Sequence, residues 1–528
     1  MAEKLEALPG HLLPEEDLAQ YRARQDPSRR VEFALVWRTP QDDALEERLL
    51  ARKPSLSREA FAQAYTWDQA LKDRAGQWLT RGGVQVVKTG PFILWLAGRM
   101  DQIEQTLGTR FVEKEGHFMM AQEPRVPDWL HPAIVGFVGL ENVSRLYPHY
   151  RSPERMDQLA NNGQGFFPAD IVRAYEFPKG LGQGLTIGLL EFSNGYNAKD
   201  LETFWDQFAI PAPSLTFVSV DGTPNDGGVN PWDLEATLDV EWCGAMAPEA
   251  SLVVYEASAG SQDSSFALSV LNALDYAYQD AANCPDILSI SYGDGETRFP
   301  VATMRAWDSV IRNIAAIGMT VFVASGDEGA YGLHGPGRLI CHVDAPANCP
   351  HAVAVGGTHL VVNAADQIVL ETGWTDTDNN GASGGGISQI FAVPPYQAGI
   401  ELPVKAGYHA GRGVPDVALN ADPDTGYAVF FQGSWTVVGG TSCSSPIWAA
   451  LLARIAGKAA SLSQEVLGYV NPALYDLGPT PAFRPITSGN NSYGGVVGYE
   501  CTPGWNAVTG WGSPYGKRLE DGLLSRPE

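Results

Sequence analysis

The feature that most constrains the fold is an alternation of short apolar runs with helical segments between residues 185 and 355. Short, continuously apolar runs are typical of strands buried on both faces of a sheet. Helices between them predict an α/β fold with a parallel sheet, whose chemistry gathers at the carboxyl ends of the strands. The predicted strands are 185–191, 251–256, 287–291, 320–325 and 352–355, and the predicted helices are 199–208, 234–246, 264–279 and 301–317.

The N-terminal part of the chain has a different character. It is nearly neutral, whereas the remainder carries almost all of the formal charge of −25. Its mixed elements predict a compact α+β unit. A segment rich in glycine, proline and polar residues, 148–165, follows it and predicts an exposed linker open to proteolysis. The predicted elements of the unit are strands at 31–38, 84–88, 92–97 and 109–113 and helices at 57–79 and 100–107.

The acidic body limits the classes of partner. It argues against nucleic acid and anionic membranes, and it fits work at low pH, where many carboxylates are neutralised. No apolar run approaches the roughly 20 residues of a membrane span, and residues 1–20 lack the apolar core of a secretion signal. The six cysteines show no zinc or thioredoxin spacing, although Cys341 and Cys349 are candidates for a disulfide in an oxidising compartment.

Ser442 lies in the segment Gly-Gly-Thr-Ser-Cys-Ser-Ser-Pro at 439–446, directly before an apolar helical run. A serine at a glycine-rich turn into a helix is presented to a substrate, as a nucleophile must be. The alternative is a helix N-cap followed by proline in the first turn. The choice between them depends on whether the chain supplies a base.

Glu235 and Asp239 are the first candidates for that base. Their i, i+4 spacing places both carboxyl groups on one face of a helix, and like charges near an apolar wall raise one pKa into the range of a general acid or base. The alternative is a solvated acidic turn. Asp327 follows a buried strand and, if protonated, could donate to a developing oxyanion, or it could cap the loop. Glu191 ends another strand, where a surface glutamate would also be ordinary.

Histidine is the usual base for a serine nucleophile, but none of the nine histidines lies in a His-Gly-Thr or His-Glu-x-x-His context. His334 and His342, near the Asp327 loop, are the candidates for a histidine-dependent hydrolase. Residues 381–385 match G-x-S-x-G, yet no buried strand precedes them, so the match is interpreted as chance.

Taken together, these motifs resemble the sedolisin family of serine-carboxyl peptidases, and among them the kumamolisin-like members. The resemblance covers nearly the whole chain, including Val-Gly-Gly-Thr at 355–358 and Gly-Arg-Gly-Val-Pro-Asp-Val at 411–417. It implies a subtilisin-like catalytic domain at 167–528, a processing linker at 151–166 and an activation prodomain at 1–150. The prodomain is expected to be an α+β, ferredoxin-like unit.

The resemblance also implies roles. Ser442 attacks the peptide carbonyl, Glu235 moves the proton, Asp239 holds Glu235, Asp327 donates to the oxyanion, and Glu191 extends the carboxyl network. The implied activity is that of an acid-acting endopeptidase made as a self-processing zymogen, secreted by a route that the sequence does not show. The alternatives are a histidine-dependent serine hydrolase and a non-catalytic binding protein.

Further expectations concern ligands and partners. Asp344 resembles the floor of the first specificity pocket and would favour Lys or Arg there. Ser383, Gly384 and Gly385 would border the cleft and pair with an extended substrate. The family's calcium site lacks its two carboxylates, because Pro485 and Asn506 stand in their places, so no cofactor is predicted. The expected partners are a protein or peptide substrate and the chain's own prodomain as inhibitor, and a monomer is expected.

Overall fold

The computed structural model describes residues 4–13, 20–23, 26–153, 160–261, 264–375 and 380–525. The chain forms two compact units. One contains Met1–Leu146, Ala257–Gln279 and Thr297–Ile317, and the other contains Tyr147–Glu256, Asp280–Glu296 and Gly318–Glu528. None of the described helices is long and apolar enough to cross a membrane.

The helices of the described residues are named in chain order. They are α1 (Asp42–Leu50), α2 (Arg58–Tyr65), α3 (Gln69–Arg81), α4 (Met100–Leu107), α5 (Ala160–Gly163), α6 (Pro168–Ala174), α7 (Ala198–Gln207), α8 (Leu234–Met246), α9 (Phe266–Gln279), α10 (Val301–Ala315), α11 (Thr441–Ser461), α12 (Asn471–Leu477) and α13 (Gly516–Leu524).

The strands are named in the same way. They are β1 (Leu5–Ala7), β2 (Arg22–Ala23), β3 (Arg30–Trp37), β4 (Gln85–Thr89), β5 (Ile93–Arg99), β6 (Phe111–Lys114), β7 (His117–Met120), β8 (Arg125–Pro127), β9 (Ile134–Val138), β10 (Tyr147–Pro148), β11 (Thr186–Phe192), β12 (Ser214–Ser219), β13 (Ser251–Ala257), β14 (Ile287–Ile290), β15 (Tyr292–Gly295), β16 (Thr320–Ala324), β17 (Asp344–Ala345), β18 (Val353–Val362), β19 (Ile368–Gly373), β20 (Gly386–Ile387), β21 (Gly413–Val414), β22 (Val417–Asn420), β23 (Tyr427–Phe431), β24 (Ser434–Val438), β25 (Phe483–Arg484) and β26 (Ser513–Pro514).

The first unit is built on an antiparallel sheet with the strand order β4-β5-β3-β9. Side chains of β3 from Phe33 to Trp37 are buried, which explains the apolar run in the sequence. Helices α9 and α10 also belong to this unit. The ferredoxin-like interpretation of residues 1–150 stays a prediction.

The second unit is built on an eight-stranded, mostly parallel sheet, which confirms the predicted α/β class. The order is β12-β13-β11-β14-β16-β18-β19, and β22 also pairs with β18. The pairs β12–β13, β11–β14, β14–β16, β16–β18 and β18–β22 are parallel, and β19 is antiparallel to β18. Helices α8 and α11 pack against each other, and α11 lies along β14, β16, β18 and β22.

The predicted linker, 151–166, is only partly exposed. Ser152 and Gln164 are exposed, whereas Gly165 and Phe166 are buried. Phe166 is buried because its backbone pairs with Gly426 and Ala428. Residues 154–159 lie outside the described residues. The domain limits at 150 and 166 stay predictions. In the structure, the first boundary between the two compact units follows Leu146.

Candidate active site

Ser442 is the second residue of α11 and is fully buried. Gly440 precedes the helix at a φ of 112°, a left-handed conformation that favours glycine. A Cβ at this position would lie 2.1 Å from the carbonyl oxygen of His149 and 2.7 Å from Asp327 Oδ2. The Ser442 hydroxyl donates to the carbonyl of Ser291 at 3.2 Å rather than capping the helix, so the N-cap alternative is wrong.

Glu235 and Asp239 lie on α8, every residue of which is buried. Both carboxyl groups have no exposed surface, which excludes the solvated acidic turn. Burial, and then the negative charges of Asp239 and Glu191, raise the pKa of Glu235 well above its ordinary value. The Ser442 side chain acts in the opposite direction and lowers the pKa of Glu235. Its hydroxyl donates to the carbonyl of Ser291.

Glu191 reaches the same cluster from the end of β11. Its Oε2 accepts from the Tyr292 hydroxyl at 2.8 Å, and Asp239 Oδ2 accepts from the Ser291 hydroxyl at 2.7 Å. Burial raises the pKa of Glu191 to about 8, and burial and then the charge of Glu191 raise the pKa of Asp239 well above its ordinary value. These carboxyl groups therefore hold protons at acid pH.

Several carboxyl oxygens of this cluster lack a donor. Within the described part of the chain, no hydrogen bond is made to Glu191 Oε1, Asp239 Oδ1, Asp327 Oδ2 or either oxygen of Glu235. A buried acceptor without a donor costs about 1–3 kcal/mol. A proton on one carboxyl group would supply the missing donor to its neighbour, which is a second indication that the cluster is partly protonated.

Asp327 follows β16 and contacts Thr441, the residue before Ser442. Its Oδ1 accepts from the backbone N–H and the hydroxyl of Thr441, at 2.8 and 3.0 Å. Burial raises the pKa of Asp327, despite the positive charges of His149 and Arg151. A protonated Asp327 would carry its O–H on Oδ2, which faces the space beside Gly440.

Residues 147–151 of the chain run past Ser442 as an extended strand, and the space that they occupy is called the cleft. β10 pairs antiparallel with β15, and Arg151 exchanges two backbone hydrogen bonds with Gly439, at 2.9 and 2.8 Å. Between them, the backbone N–H of Ser442 donates to the carbonyl of His149 at 2.9 Å. The N–H of His149 points back at the Ser442 hydroxyl, 3.0 Å away. A peptide bond is thus held against the candidate nucleophile.

Comparisons with known proteins identify the family of the chain. A sequence model of the subtilase family matches residues 234–471, from α8 to the start of α12. Kumamolisin from Bacillus sp. (strain MN-32) is 37% identical over 550 residues, covering 99% of this chain and 97% of the relative. The chain belongs to the sedolisin family.

Solved and curated relatives extend the likeness. Pseudomonas sedolisin, a serine-carboxyl proteinase solved with two molecules of pseudo-iodotyrostatin, is 28% identical with a TM-score of 0.60, covering 69% of this chain and 99% of that one. Tripeptidyl-peptidase 1 of Mus musculus is 28% identical over 85% of this chain and 82% of the relative. As a sedolisin family member with a subtilisin-like domain, the protein is a serine-carboxyl peptidase.

Asp344, the expected specificity residue in this sedolisin-family cleft, lies beside the histidine of the strand. His149 Nε2 is 3.0 Å from Asp344 Oδ2. Glycines make the room, because a Cβ at Gly293 would lie 2.8 Å from His149 Nε2 and one at Gly326 would lie 2.5 Å from Asp344 Oδ2. The side chain of His149, on the acyl side of the peptide bond held at Ser442, therefore lies against the carboxyl group of Asp344.

The segment Ser383, Gly384 and Gly385 is expected to border the cleft, and that role stays a prediction. Its backbone is used inside the domain: Ser383 and Gly384 N–H donate to the carbonyls of Trp374 and Gly326. The carbonyls of Ser383 and Gly385 accept from Asn491, and that of Gly384 accepts from the Ser325 hydroxyl. The strand that pairs with residues 147–148 in this structure is β15. Sequence reasoning missed β15, although it directly continues the predicted strand 287–291.

The two candidate histidines are not brought to Ser442. His334 Nδ1 lies 3.1 Å from Glu328 Oε1, and His342 Nε2 lies 3.4 Å from the carbonyl of Arg338. His149 is nearer, but its backbone rather than its ring faces Ser442. The geometry therefore gives no support to the histidine-dependent alternative.

The residues at the family's calcium site do not fit the ion. Asn506 Nδ2 donates to the carbonyls of Ile486 and Thr502, at 3.2 and 3.3 Å, while its Oδ1 accepts from Val508 and Thr509 N–H. An amide donor thus occupies carbonyl oxygens of the kind that calcium binds. Pro485 offers no carboxylate. Among the described residues, no cluster of His, Cys, Asp or Glu could hold a metal.

The cysteines are thiols throughout. All six, including Cys341 and Cys349, are free, so the candidate disulfide is wrong in this structure. Cys443, next to Ser442, is fully buried, and burial raises the pKa of its thiol well above the ordinary value. A thiol held in this state is a poor nucleophile.

Proposed function

We propose that the protein is an acid-acting serine endopeptidase in which Ser442, Glu235, Asp239 and Asp327 carry the reaction. The observation that supports this most strongly is the set of buried carboxyl oxygens without donors around Ser442. Such a cluster is costly unless some of its carboxyl groups are protonated. A protonated carboxyl group is what the oxyanion donor requires, and protons held by the neighbouring acids allow Glu235 to act as the carboxylate base. Glu191 extends this cluster.

In the proposed mechanism, Glu235 as carboxylate accepts the Ser442 proton as Oγ forms a bond to the scissile carbonyl carbon. Asp239 is then the positioning carboxyl group that holds Glu235. The oxyanion accepts from the Ser442 N–H and from protonated Asp327. Glu235 returns its proton to the leaving amine, the C–N bond breaks, and water repeats the sequence on the acyl-enzyme.

The proposed working pH is acidic, and the direction follows from Asp327. The pKa of Asp327 is raised, so the carboxyl group keeps its proton in acid and loses it as the pH rises. Loss of that proton removes an oxyanion donor and adds a negative charge beside the oxyanion. A peptidase assay with its maximum at neutral or alkaline pH would contradict this mechanism.

We also propose that the chain is a zymogen that cuts its own bond between His149 and Tyr150. The support is that the His149 carbonyl accepts from Ser442 N–H, the donor proposed for the oxyanion. The segment passes the serine with chain on both sides, which favours an endopeptidase over an enzyme that needs a free N-terminus. The unit preceding this segment would act as the inhibitor, and release at acid pH would precede work outside the cell.

The test is incubation of the full chain at about pH 4, near the ordinary pKa of a carboxyl group. We expect loss of a fragment the size of the N-terminal unit and a new N-terminus at Tyr150. The Ser442→Ala variant should stay intact, and wild-type processing should be independent of dilution. Normal maturation of Ser442→Ala would refute self-cleavage, and cleavage only of peptides with a free N-terminus would refute the endopeptidase assignment.

A further inference from the structure

A cavity that the proposed mechanism does not use lies beside Ser152 and Pro153, directly after the cleft segment. Its volume is about 530 Å³, within the range of about 300–1,000 Å³ that ligand-binding pockets have. Three aromatic residues, Phe167, Phe208 and Trp435, line it. None of the described residues that line the cavity is ionisable. It therefore differs in chemistry from the acidic groups around Ser442.

The cavity has a defined position along the chain relative to the peptide bond held at Ser442. Pro153 is the fourth residue after the bond between His149 and Tyr150, on the side of the leaving amine. An extended chain covers about 3.3–3.6 Å per residue, so four residues span no more than about 14 Å. A substrate that follows the path of residues 150–153 would reach the cavity with its fourth residue.

Strand β24 connects the cavity with the part of the cleft next to the serine. The antiparallel bridge between Arg151 and Gly439, the residue after β24, fixes the register of the chain that lies alongside. Continuing that register places Pro153 opposite Val437, and both residues line the cavity. β24 is itself held by its pairing with β23. A peptide that keeps the hydrogen bonds of Arg151 is therefore led along β24 towards Trp435.

Trp435 is a partly exposed side chain on a rigid aromatic support. Its ring lies 5.9, 5.6 and 5.2 Å from the rings of Phe204, Phe208 and Phe430, measured between centroids. Tilted and edge contacts of this kind are favourable for aromatic pairs and hold the ring in place. Even so, 44% of Trp435 is exposed. A tryptophan that is fixed and still accessible is typical of the energetic centre of a binding site.

The aromatic walls do not depend on the segment that a substrate would replace. Phe167 follows Phe166, whose backbone pairs with Gly426 and Ala428 at 2.8 and 3.0 Å. Processing of the proposed bond would free residues 150–153 to leave the cleft, whereas this anchor lies beyond them. A substrate that takes their place would meet the same walls.

We propose that this cavity is a distal specificity subsite, which takes an aromatic or large aliphatic side chain at the fourth substrate position after the cleaved bond. The inference rests on the proposed peptidase function and deepens it. Burial of apolar surface favours such a side chain. A charged one would lose its hydration beside walls that offer no countercharge among the described residues. Binding far from the reacting bond can contribute to catalysis by holding the substrate in position.

The test uses the processed wild-type enzyme and internally quenched peptides that are identical except at this fourth position. Phe, Leu, Gly and Lys are compared, and mass spectrometry confirms that the same bond is cut in each peptide. We expect kcat/KM for Phe to exceed that for Gly about tenfold, which corresponds to about 1.4 kcal/mol, with Leu between them and Lys no better than Gly. Equal rates for Phe and Gly, or a Lys peptide cleaved as fast as the Phe peptide, would overturn the proposal.

The pH dependence separates an apolar subsite from a charged one. The Phe to Gly ratio should be the same at about pH 3 and about pH 5, a range in which carboxyl groups change their charge. The reason is that none of the described lining residues titrates. A ratio that changes several-fold across this range would contradict an apolar subsite.

Variants then assign the selectivity to the cavity. In Trp435→Ala the Phe to Gly ratio should fall towards one, whatever the absolute rate. Leu462→Ala is the matched control, because Leu462 is also an exposed apolar residue and follows the opposite end of α11 from Ser442. Its ratio should equal that of the wild type. An unchanged ratio in Trp435→Ala would overturn the assignment.

The outcomes separate this proposal from the peptidase proposal. If the wild type cleaves none of the peptides, the proposed function fails. If it cleaves them all without preference, the distal subsite alone fails. If Trp435→Ala does not fold, the wild-type peptide series at the two pH values still decides, because it needs no variant.

Discussion

The acid cluster on α8 and the carboxyl group of Glu328 are both buried, yet their pKa values shift in opposite directions. Glu235 and Asp239 face other acids, and their pKa values are raised. Glu328 faces Arg151 and His334, and its pKa is lowered to about 2. Burial thus fixes only that a charge is costly, and the neighbours decide whether the proton or a cation neutralises it.

The largest effect is expected in the acid cluster on α8, whose pKa values are raised. Replacing Glu235 by Gln leaves the shape and removes the base, so kcat/KM on a peptide should fall about 10³-fold or more. The measurement is steady-state cleavage at the optimum pH. The His334→Ala variant should keep far more activity, because His334 contacts Glu328 and Tyr147 rather than Ser442. The reverse ranking would restore the histidine-dependent reading.

A smaller loss is expected at Asp327. Removing the oxyanion donor in Asp327→Ala should lower kcat about 10²-fold. Asp327→Asn keeps an N–H donor that does not titrate, so it should retain more activity than Ala and lose less of it as the pH rises. Identical alkaline limbs in the wild type and the Asn variant would show that Asp327 does not set the upper pH limit.

The sequence predicted the elements that local pattern controls. The helices at α4 and α8 are confirmed at both ends, and the five predicted strands of the large sheet are confirmed. Its other three strands, β12, β19 and β22, were not predicted. The single helix predicted at 57–79 is wrong, because Thr66 is extended and the Asp68 side chain caps a new helix at Leu71 N–H. A capping aspartate was present in the sequence but competed with an uninterrupted helical period.

The parts of the site that sequence reasoning missed depend on long-range pairing. His149 was expected in an exposed linker, yet it is buried because the strand before it pairs with β15, far along the chain. The backbone of Ser383 was expected to be free, yet it bonds to Trp374, and its side chain bonds to Val508. Glu328 carried no signal beyond its place next to Asp327, since its lowered pKa depends on where His334 and Arg151 lie.

A third effect concerns stability. Glu256 is buried at the end of β13; its Oε1 accepts from Asn194 N–H at 3.1 Å. Burial, and then the charge of Glu191, raise its pKa to about 9. A raised folded-state pKa contributes stability that is complete below the ordinary pKa of Glu and is lost as the pH rises towards about 9.

In the Glu256→Gln variant this loss of stability at higher pH should be absent, because glutamine does not titrate. We expect a Tm near the wild-type value in acid and a few degrees above it at about pH 8, on the scale of about 2–4 °C per kcal/mol. The measurement is thermal unfolding at both pH values. Both proteins carry Ser442→Ala, so that the chain stays unprocessed. Glu520→Gln, which loses the ion pair of Glu520 with Lys458, should instead lower Tm at the higher pH. A Glu256→Gln protein less stable than its parent at both pH values would contradict the protonated state of Glu256.

The smallest effect is expected at Asn506, whose neutral amide replaces a carboxylate of the family's calcium site. Because Asn506 donates to the carbonyls of Ile486 and Thr502, an excess of chelator should leave the wild-type Tm unchanged. Asn506→Asp removes the donors and turns a carboxylate towards those carbonyl oxygens, so it should cost about 1–3 kcal/mol without metal. Added calcium should then recover part of that loss, since the oxygens would face a cation again. The decisive comparison is Tm with chelator and with calcium for both proteins. A wild-type Tm that falls by several degrees in chelator would mean that a metal, and not the Asn506 amide, holds these loops together.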